Sequence, residues 1–231
     1  TIAFVDVDPE TFTIDPQAVE DAIRPGITTA ILPVHLGGHP ADMGALRKIA
    51  DKHGLKIVED CAQAHGAEYD GQKVGSLGDA GAFSFQSSKN LTSGEGGMVT
   101  TNDVDVRNRV VAFKDVGRHP EGERWEYPRI GWNYRASEYL AALLNIRLDF
   151  LESESLRRNE NGDYLRKYLN DMPGIVPPKL SPHATMHGYH LYMMLYDPNE
   201  FGGHSRGEFI AALSAEGVPS SSGYGTPLSD S

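Results

Sequence analysis

Two short stretches hold side chains whose types and spacing suit chemistry. "LKIVED" ends at Asp60 and runs into "CAQAHGA", which carries Gln63; "FSFQSSKNLTSGEGGMVTTND", Phe83–Asp103, carries Lys89 among hydroxyls and glycines. In open parallel sheets ligands gather at the carboxyl ends of the strands, which is where Asp60 falls. A lysine just past a buried strand is partly desolvated, which makes its neutral amine available as a nucleophile. Each has a plainer reading: a turn or N-cap aspartate, a solvated surface lysine, an ordinary hairpin. Gly94, Gly96 and Gly97 follow the lysine, the reverse of the order in GxxxxGK[ST], and no GxGxxG is present, so the glycines do not spell a nucleotide loop. Taken together, an aspartate at a strand end and a lysine 29 residues later suit pyridoxal phosphate. The lysine forms the Schiff base, and the carboxylate keeps the pyridine nitrogen protonated so that the ring acts as an electron sink. Ser84 and the neighbouring hydroxyls could hold the phosphate.

Elements that would position these groups can be read from periodicity. "TIAFVDVD" alternates Val5 and Val7 with Asp6 and Asp8, as a half-buried strand does. "DPQAVEDAIRPG" reads as a helix with Asp15 as N-cap and Pro16 at its first position, closed by Pro25-Gly26. "TTAILPVH" reads as a buried strand, "HPADMGALRKIADKHG" as an amphipathic helix ended by Gly54, and "LKIVED" as the next strand. Strand, helix and strand with short links make a βαβ unit, hence a mostly parallel sheet in an α/β fold. "DAGAFSF" and "GGMVTTND" are β-like, and "VDVRNRVVAFKDVG" is helical. A polar, aromatic loop follows. The stretch from Ala136 to Asn170 then keeps helical spacing through Leu140, Leu144, Leu148 and Leu151, with one glycine and no proline. "GYHLYMMLYD" reads as a strand, and "SRGEFIAALSAEG" as a helix bounded by Ser205 and Gly217. This gives 1–135 as part of a large ligand-binding domain, 136–171 as a long connecting helix, and 172–231 as part of a small α+β C-terminal domain.

The balance of 21 basic against 32 acidic side chains, −11 in all, argues against nucleic acid or an anionic membrane surface as a partner. A small anionic ligand stays open, because backbone amides can bind it locally. Cys61 is the one cysteine, so no internal disulfide forms and a cytoplasmic setting fits. No apolar run approaches the roughly 20 residues of a membrane helix. His183, His187 and His190 match no common zinc spacing, and no metal site is expected. His65 and His190 read as packed, hydrogen-bonded histidines.

The run "VEDCAQAHGAEYDGQKVGSLGDAGAFSFQSSKNLTSGEGGMVTTND" resembles the DegT/DnrJ/StrS family, sugar aminotransferases of fold type I, the aspartate aminotransferase-like fold. The ED-AQAHGA block, the VGSLGD block and FSF-x3-K with GEGG stand in order and correctly spaced. "FVDVDPETFTIDP", "ILPVHLGGHPADM" and "IGWNYRASEYLAALL" extend the likeness over nearly the whole chain. The resemblance implies Lys89 as the Schiff-base lysine, Asp60 as partner of the pyridine nitrogen, Gln63 against the ring near its phenolic oxygen, and Ser84 on the phosphate. It also implies Asn133 reaching the phosphate of a neighbouring subunit, hence a homodimer.

The implied reaction is amino transfer from glutamate or glutamine to a keto group. "FSFQSSK" and "VPSSSGYGTPL" look like members acting on keto-cyclitols such as scyllo-inosose. Gly223-Tyr224 stands where many members have His-Tyr, a departure from those using nucleotide-linked keto sugars. Two rivals are a sugar dehydratase, in which histidine replaces the lysine, and a non-catalytic dimerisation or binding module. Lys89 speaks against the first and the Lys89–Asp60 pair against the second. Family members also carry an N-terminal Gly-Thr phosphate loop, a ring-stacking aromatic and a further end to the C-terminal domain, which this sequence lacks. The expectation is therefore a fragment that binds the cofactor poorly and turns over little.

Overall fold

A computed structural model describes residues 1–123 and 125–226. The elements, in chain order, are α1 (Pro16–Ala22), β1 (Ala30–Ile31), α2 (Met43–His53), β2 (Lys56–Asp60), β3 (Glu68–Tyr69), β4 (Gln72–Lys73), β5 (Ala80–Ser84), β6 (Gly97–Thr100), α3 (Val104–Lys114), α4 (Glu138–Leu169), β7 (Ile175–Val176), β8 (Ala184–Met186), β9 (Leu195–Tyr196) and α5 (Arg206–Ala215). The main sheet has the order β1-β2-β5-β6. β1 and β5 flank β2 in parallel, and β6 returns antiparallel on β5. The fold is thus α/β with a mostly parallel sheet. β4, β3 and β8 form a second small sheet, and β7 pairs with β9.

Local chemistry sets the boundaries. Asp15 accepts from Gln17 N–H at the start of α1, with Pro16 at the first position. Asp42 accepts from Ala45 N–H at the start of α2, and Gly54 ends it at φ 66°, the left-handed region. Ser205 and Glu208 form a reciprocal capping box on α5. α2 turns Met43, Leu46 and Ala50 onto Ile31 and Ile57 of the sheet, and Val19 of α1 joins this core.

Four expectations change. The buried strand expected over 28–35 pairs as β1 only at Ala30–Ile31, and Leu32 is 61% exposed. Residues 1–8 form no strand; their one bridge, Val7 to Ile14, is isolated, because no neighbouring strand offers a ladder. The strand expected over 188–197 shrinks to Leu195–Tyr196. Its first half spends its amides elsewhere: Gly188 N–H donates to Gly38 O, and His190 and Leu191 N–H both donate to Gly37 O. The long helix forms, but its buried face is not a leucine stripe. Leu148 is 55% exposed, while Ser155 and Gly162 are buried. A Cβ on Gly66 would meet Ser155 Oγ at 2.5 Å, and one on Gly162 would meet Tyr189 Cζ at 2.4 Å. Small residues let α4 approach the body closely.

Candidate active site at the ends of β2 and β5

The register of the main sheet brings the predicted residues together. Asp60 closes β2 opposite Ala82 of the parallel β5. Ser84 closes β5 two residues on, so both side chains lie at the carboxyl end of neighbouring strands. Lys89 follows in a turn whose backbone closes from Lys89 N–H to Gln86 O at 2.9 Å. Gln86 Oε1 accepts from both the amide and the hydroxyl of Ser88, at 2.8 and 2.7 Å. Asn90 Nδ2 donates to Gly188 O at 2.6 Å, fixing the far side of that turn. Lys89, Asp60, Ser84 and Gln63 are all half-buried.

These groups keep open valences. Asp60 Oδ1 accepts from Ala62 N–H at 3.0 Å; its other oxygen has no hydrogen bond among the described residues. Ser84 Oγ accepts from Gln86 N–H at 3.3 Å, which leaves its own proton free to donate. Gln63 is held at both ends: Oε1 accepts from Gly37 N–H at 2.7 Å, and Nε2 donates to Tyr224 Oη. Pro227 and Leu228, which end the cyclitol-like segment, lie outside the described residues. A free carboxylate oxygen, a free hydroxyl and an amine at one sheet end suit the pyridine nitrogen, phosphate and aldehyde of pyridoxal phosphate.

His65 is buried between Phe83 and Phe85, with ring centroids 5.6 and 6.0 Å away. It is packed as expected, but neither ring nitrogen has a hydrogen-bond partner. Burial pushes its pKa down to about 4 against a pull from the Ser84 backbone, and the Lys89 charge adds to the fall. His190 is half-buried and lowered for the same two main reasons, burial and then Lys89. Asn133 makes no hydrogen bond to these groups among the described residues. It is exposed, its segment bridges to Asp115, and its Oδ1 accepts from Arg135 Nε at 2.9 Å.

Sequence reasoning passed over the residue that shapes this end of the sheet. Glu59, next to Asp60, is fully buried. Its carboxylate accepts from His35 Nε2 at 3.0 Å, Gly75 N–H at 2.7 Å, and Leu77 and Gly78 N–H at 2.9 and 2.6 Å. Burial opposes its charge, but the bonds from His35, Gly75 and Gly78 outweigh it and hold the carboxyl below its ordinary value. His35 Nδ1 accepts from Ala41 N–H at 3.0 Å, which puts the ring proton on Nε2, facing Glu59. The pair pins the "VGSLGD" loop and the 35–41 turn behind the strand ends. The available signal was a glutamate inside the apolar run "KIVED". Cys61 lies within 4.8 Å of this pair. Both His35 nitrogens and both Glu59 oxygens are already engaged, and burial raises the Cys61 thiol, so the trio is a structural clamp.

Comparison with known proteins shows what the chain is similar to. The model of the DegT/DnrJ/EryC1/StrS aminotransferase family matches residues 1–231. The L-glutamine:2-deoxy-scyllo-inosose aminotransferase of Streptoalloteichus tenebrarius is 42% identical over 230 residues, 95% of this chain and 54% of that protein. The dTDP-3-amino-3,4,6-trideoxy-alpha-D-glucose transaminase of Streptomyces venezuelae is 40% identical, over 94% of this chain and 54% of its own length. The chain thus spans about half the length of the curated relatives it matches. Among solved structures, DesV of S. venezuelae superposes with a TM-score of 0.89 at 39% identity, over 98% of this chain and 58% of that one. An aminotransferase of the same family from Brucella abortus gives 0.88 at 31% identity, with 98% and 59% covered.

Proposed function

The chain belongs to the DegT/DnrJ/EryC1/StrS aminotransferase family, and from that premise we propose that the protein moves an amino group from glutamate or glutamine to a keto-cyclitol or keto sugar. The observation that carries the reading is the junction of Asp60, Ser84 and Lys89 at the carboxyl ends of two adjacent parallel strands. Pyridoxal phosphate, when bound, supplies the electron sink that stabilises a carbanion at the reacting carbon. Lys89 would hold its aldehyde carbon, Asp60 its pyridine nitrogen, Ser84 its phosphate, and Gln63 would lie near its phenolic oxygen. Gln63 is pre-oriented for this by Gly37 and Tyr224. Once its amine is free, Lys89 would act as base and acid, moving a proton between the donor's α-carbon and the cofactor carbon, and in the opposite sense when the keto acceptor is bound. Asn133, exposed and without a hydrogen bond to the cluster, would serve the site of a second subunit in a homodimer.

The keto-cyclitol class is favoured within this reading by the names of the scyllo-inosose relatives. A cytoplasmic setting accords with the single buried thiol. No helix among the described residues is long and apolar enough to cross a membrane.

The test is incubation with pyridoxal phosphate, visible absorbance, borohydride reduction and peptide mapping, on wild type and Lys89→Ala. A label on Lys89, absent from the variant, supports the reading. A label on Lys89 only when the chain carries further N-terminal sequence supports it with a shared site. No label in either overturns it.

A further inference from the structure

Residues 187–191 follow α4 in the chain yet are bonded into the candidate site. Asn159 of α4 pairs with both backbone groups of His187: Nδ2 donates to His187 O at 2.8 Å, and Oδ1 accepts from His187 N–H at 3.0 Å. Gly188 N–H donates to Gly38 O at 2.8 Å, and His190 and Leu191 N–H donate to Gly37 O at 2.9 and 3.1 Å. Gly37 N–H in turn donates to Gln63 Oε1 at 2.7 Å. Gly188 O accepts from Asn90 Nδ2 at 2.6 Å. A run of bonds therefore leads from Gln63 through Gly37, Gly38 and Gly188 to Asn90, the residue after Lys89.

The run has little slack. Gly37, Gly38 and Gly188 are buried. A Cβ on Gly188 would come within 3.2 Å of the Cα atoms of Ala64 and Gly38 and 3.3 Å from Gln63 O; one on Gly38 would meet Tyr189 N at 2.6 Å. Backbone passes backbone here at distances that only glycine permits. The loop carrying Lys89 is otherwise tied to itself. Among the described residues, the other hydrogen bonds of residues 86–94 all close between Ser84 and Glu95. The Asn90 amide is thus the hydrogen bond that fixes this loop to the body holding Gln63. A lysine amine stands on a flexible four-carbon stem, so where its Cα is held decides where the amine can reach.

We propose that Asn90 is a positioning residue, whose bond to Gly188 holds the Lys89 amine in place relative to the Gln63 amide; this rests on the reading of Lys89 and Gln63 given above. The experiment titrates pyridoxal phosphate into the form of the chain that carries the Lys89 label, reading visible absorbance and borohydride-trapped label. Asn90→Leu keeps the branched shape and removes the donor, and Asn90→Asp is a second, polar variant of the same shape. In both, half-saturation should move to about tenfold higher pyridoxal phosphate. Asn159→Leu breaks a bond to the same segment outside the run, so it should lower the urea midpoint yet keep half-saturation within about twofold of wild type. In a Gln63→Leu background, Asn90→Leu should cost less than in wild type, because its effect is realised through Gln63. Half-saturation within about twofold of wild type in both Asn90 variants, equal shifts in Asn90→Leu and Asn159→Leu, or additive effects with Gln63→Leu would each overturn the positioning role while the Lys89 label stands. A wild type without the label would remove the reading of Lys89 and this inference together.

Discussion

Replacing Glu59 by Gln tests the idea that the candidate site rests on one buried carboxylate. The carboxylate satisfies four donors, two at each oxygen: His35 Nε2 and Gly75 N–H at one, Leu77 and Gly78 N–H at the other. Glutamine keeps one acceptor and turns the other into an NH2 group facing two donors. His35 cannot relieve this by moving its proton, since Nδ1 would then face Ala41 N–H. Two bonds to a charged acceptor are lost, each worth about 1.5–3 kcal/mol, so the cost is about 3–6 kcal/mol. With a urea m-value of about 3 kcal/mol/M for a chain of this size, the midpoint should fall by about 1–2 M at unchanged m. The surface pair Lys179–Glu10 supplies the control, because Glu10→Gln should cost under ~1 kcal/mol. Acid adds a second signature. The folded Glu59 carboxyl titrates below its ordinary 4.5, so its charge-linked contribution is complete above that pH and lost as pH falls through the folded value. The gap between wild type and variant should be constant above pH 4.5 and narrow below it. A loss under about 1 kcal/mol at pH 7, no larger than that of Glu10→Gln, would refute the reasoning.

Other outcomes follow from the same geometry. Gly162→Ala drives a methyl into the Tyr189 ring; the overpacking should outweigh the gain in helix propensity and destabilise by about 1–2 kcal/mol, read by urea melts. His39 and His65, buried and lowered to about 4, take up protons near 6.5 only when the chain unfolds. Their stability contribution is whole above pH 6.5 and falls away toward pH 4, by at most about 1.4 kcal/mol per pH unit for each group, and His65→Phe should flatten that slope. Ser205→Ala removes the capping box of α5 and should cost about 1 kcal/mol, with local loss of amide-exchange protection at residues 206–209.

The sequence by itself determined what is local. Asp15, Asp42 and Ser205 cap their helices because a short polar side chain satisfies orphan amides wherever the chain turns helical. The βαβ unit through β2 followed from hydrophobic period and short links. The spacing of Asp60 and Lys89 marked a candidate site, and the likeness of their surroundings to a known family suggested the chemistry proposed for it. Tertiary structure alone decided which backbone groups found partners. Residues 1–8 have strand-like alternation but no ladder, and "GYHLY" spends its amides on Gly37 and Gly38, so neither becomes the expected strand. The buried face of α4 is Ser155 and Gly162 rather than leucines, because close approach is set by what lies opposite, Gly66 and Tyr189. Glu59 and Arg166 show the same rule for charge. Each reads as an ordinary polar residue in its own segment. Their environments differ through contacts made outside their own segments: one buried carboxylate is met by four donors, and one half-buried guanidinium donates to Pro178 O.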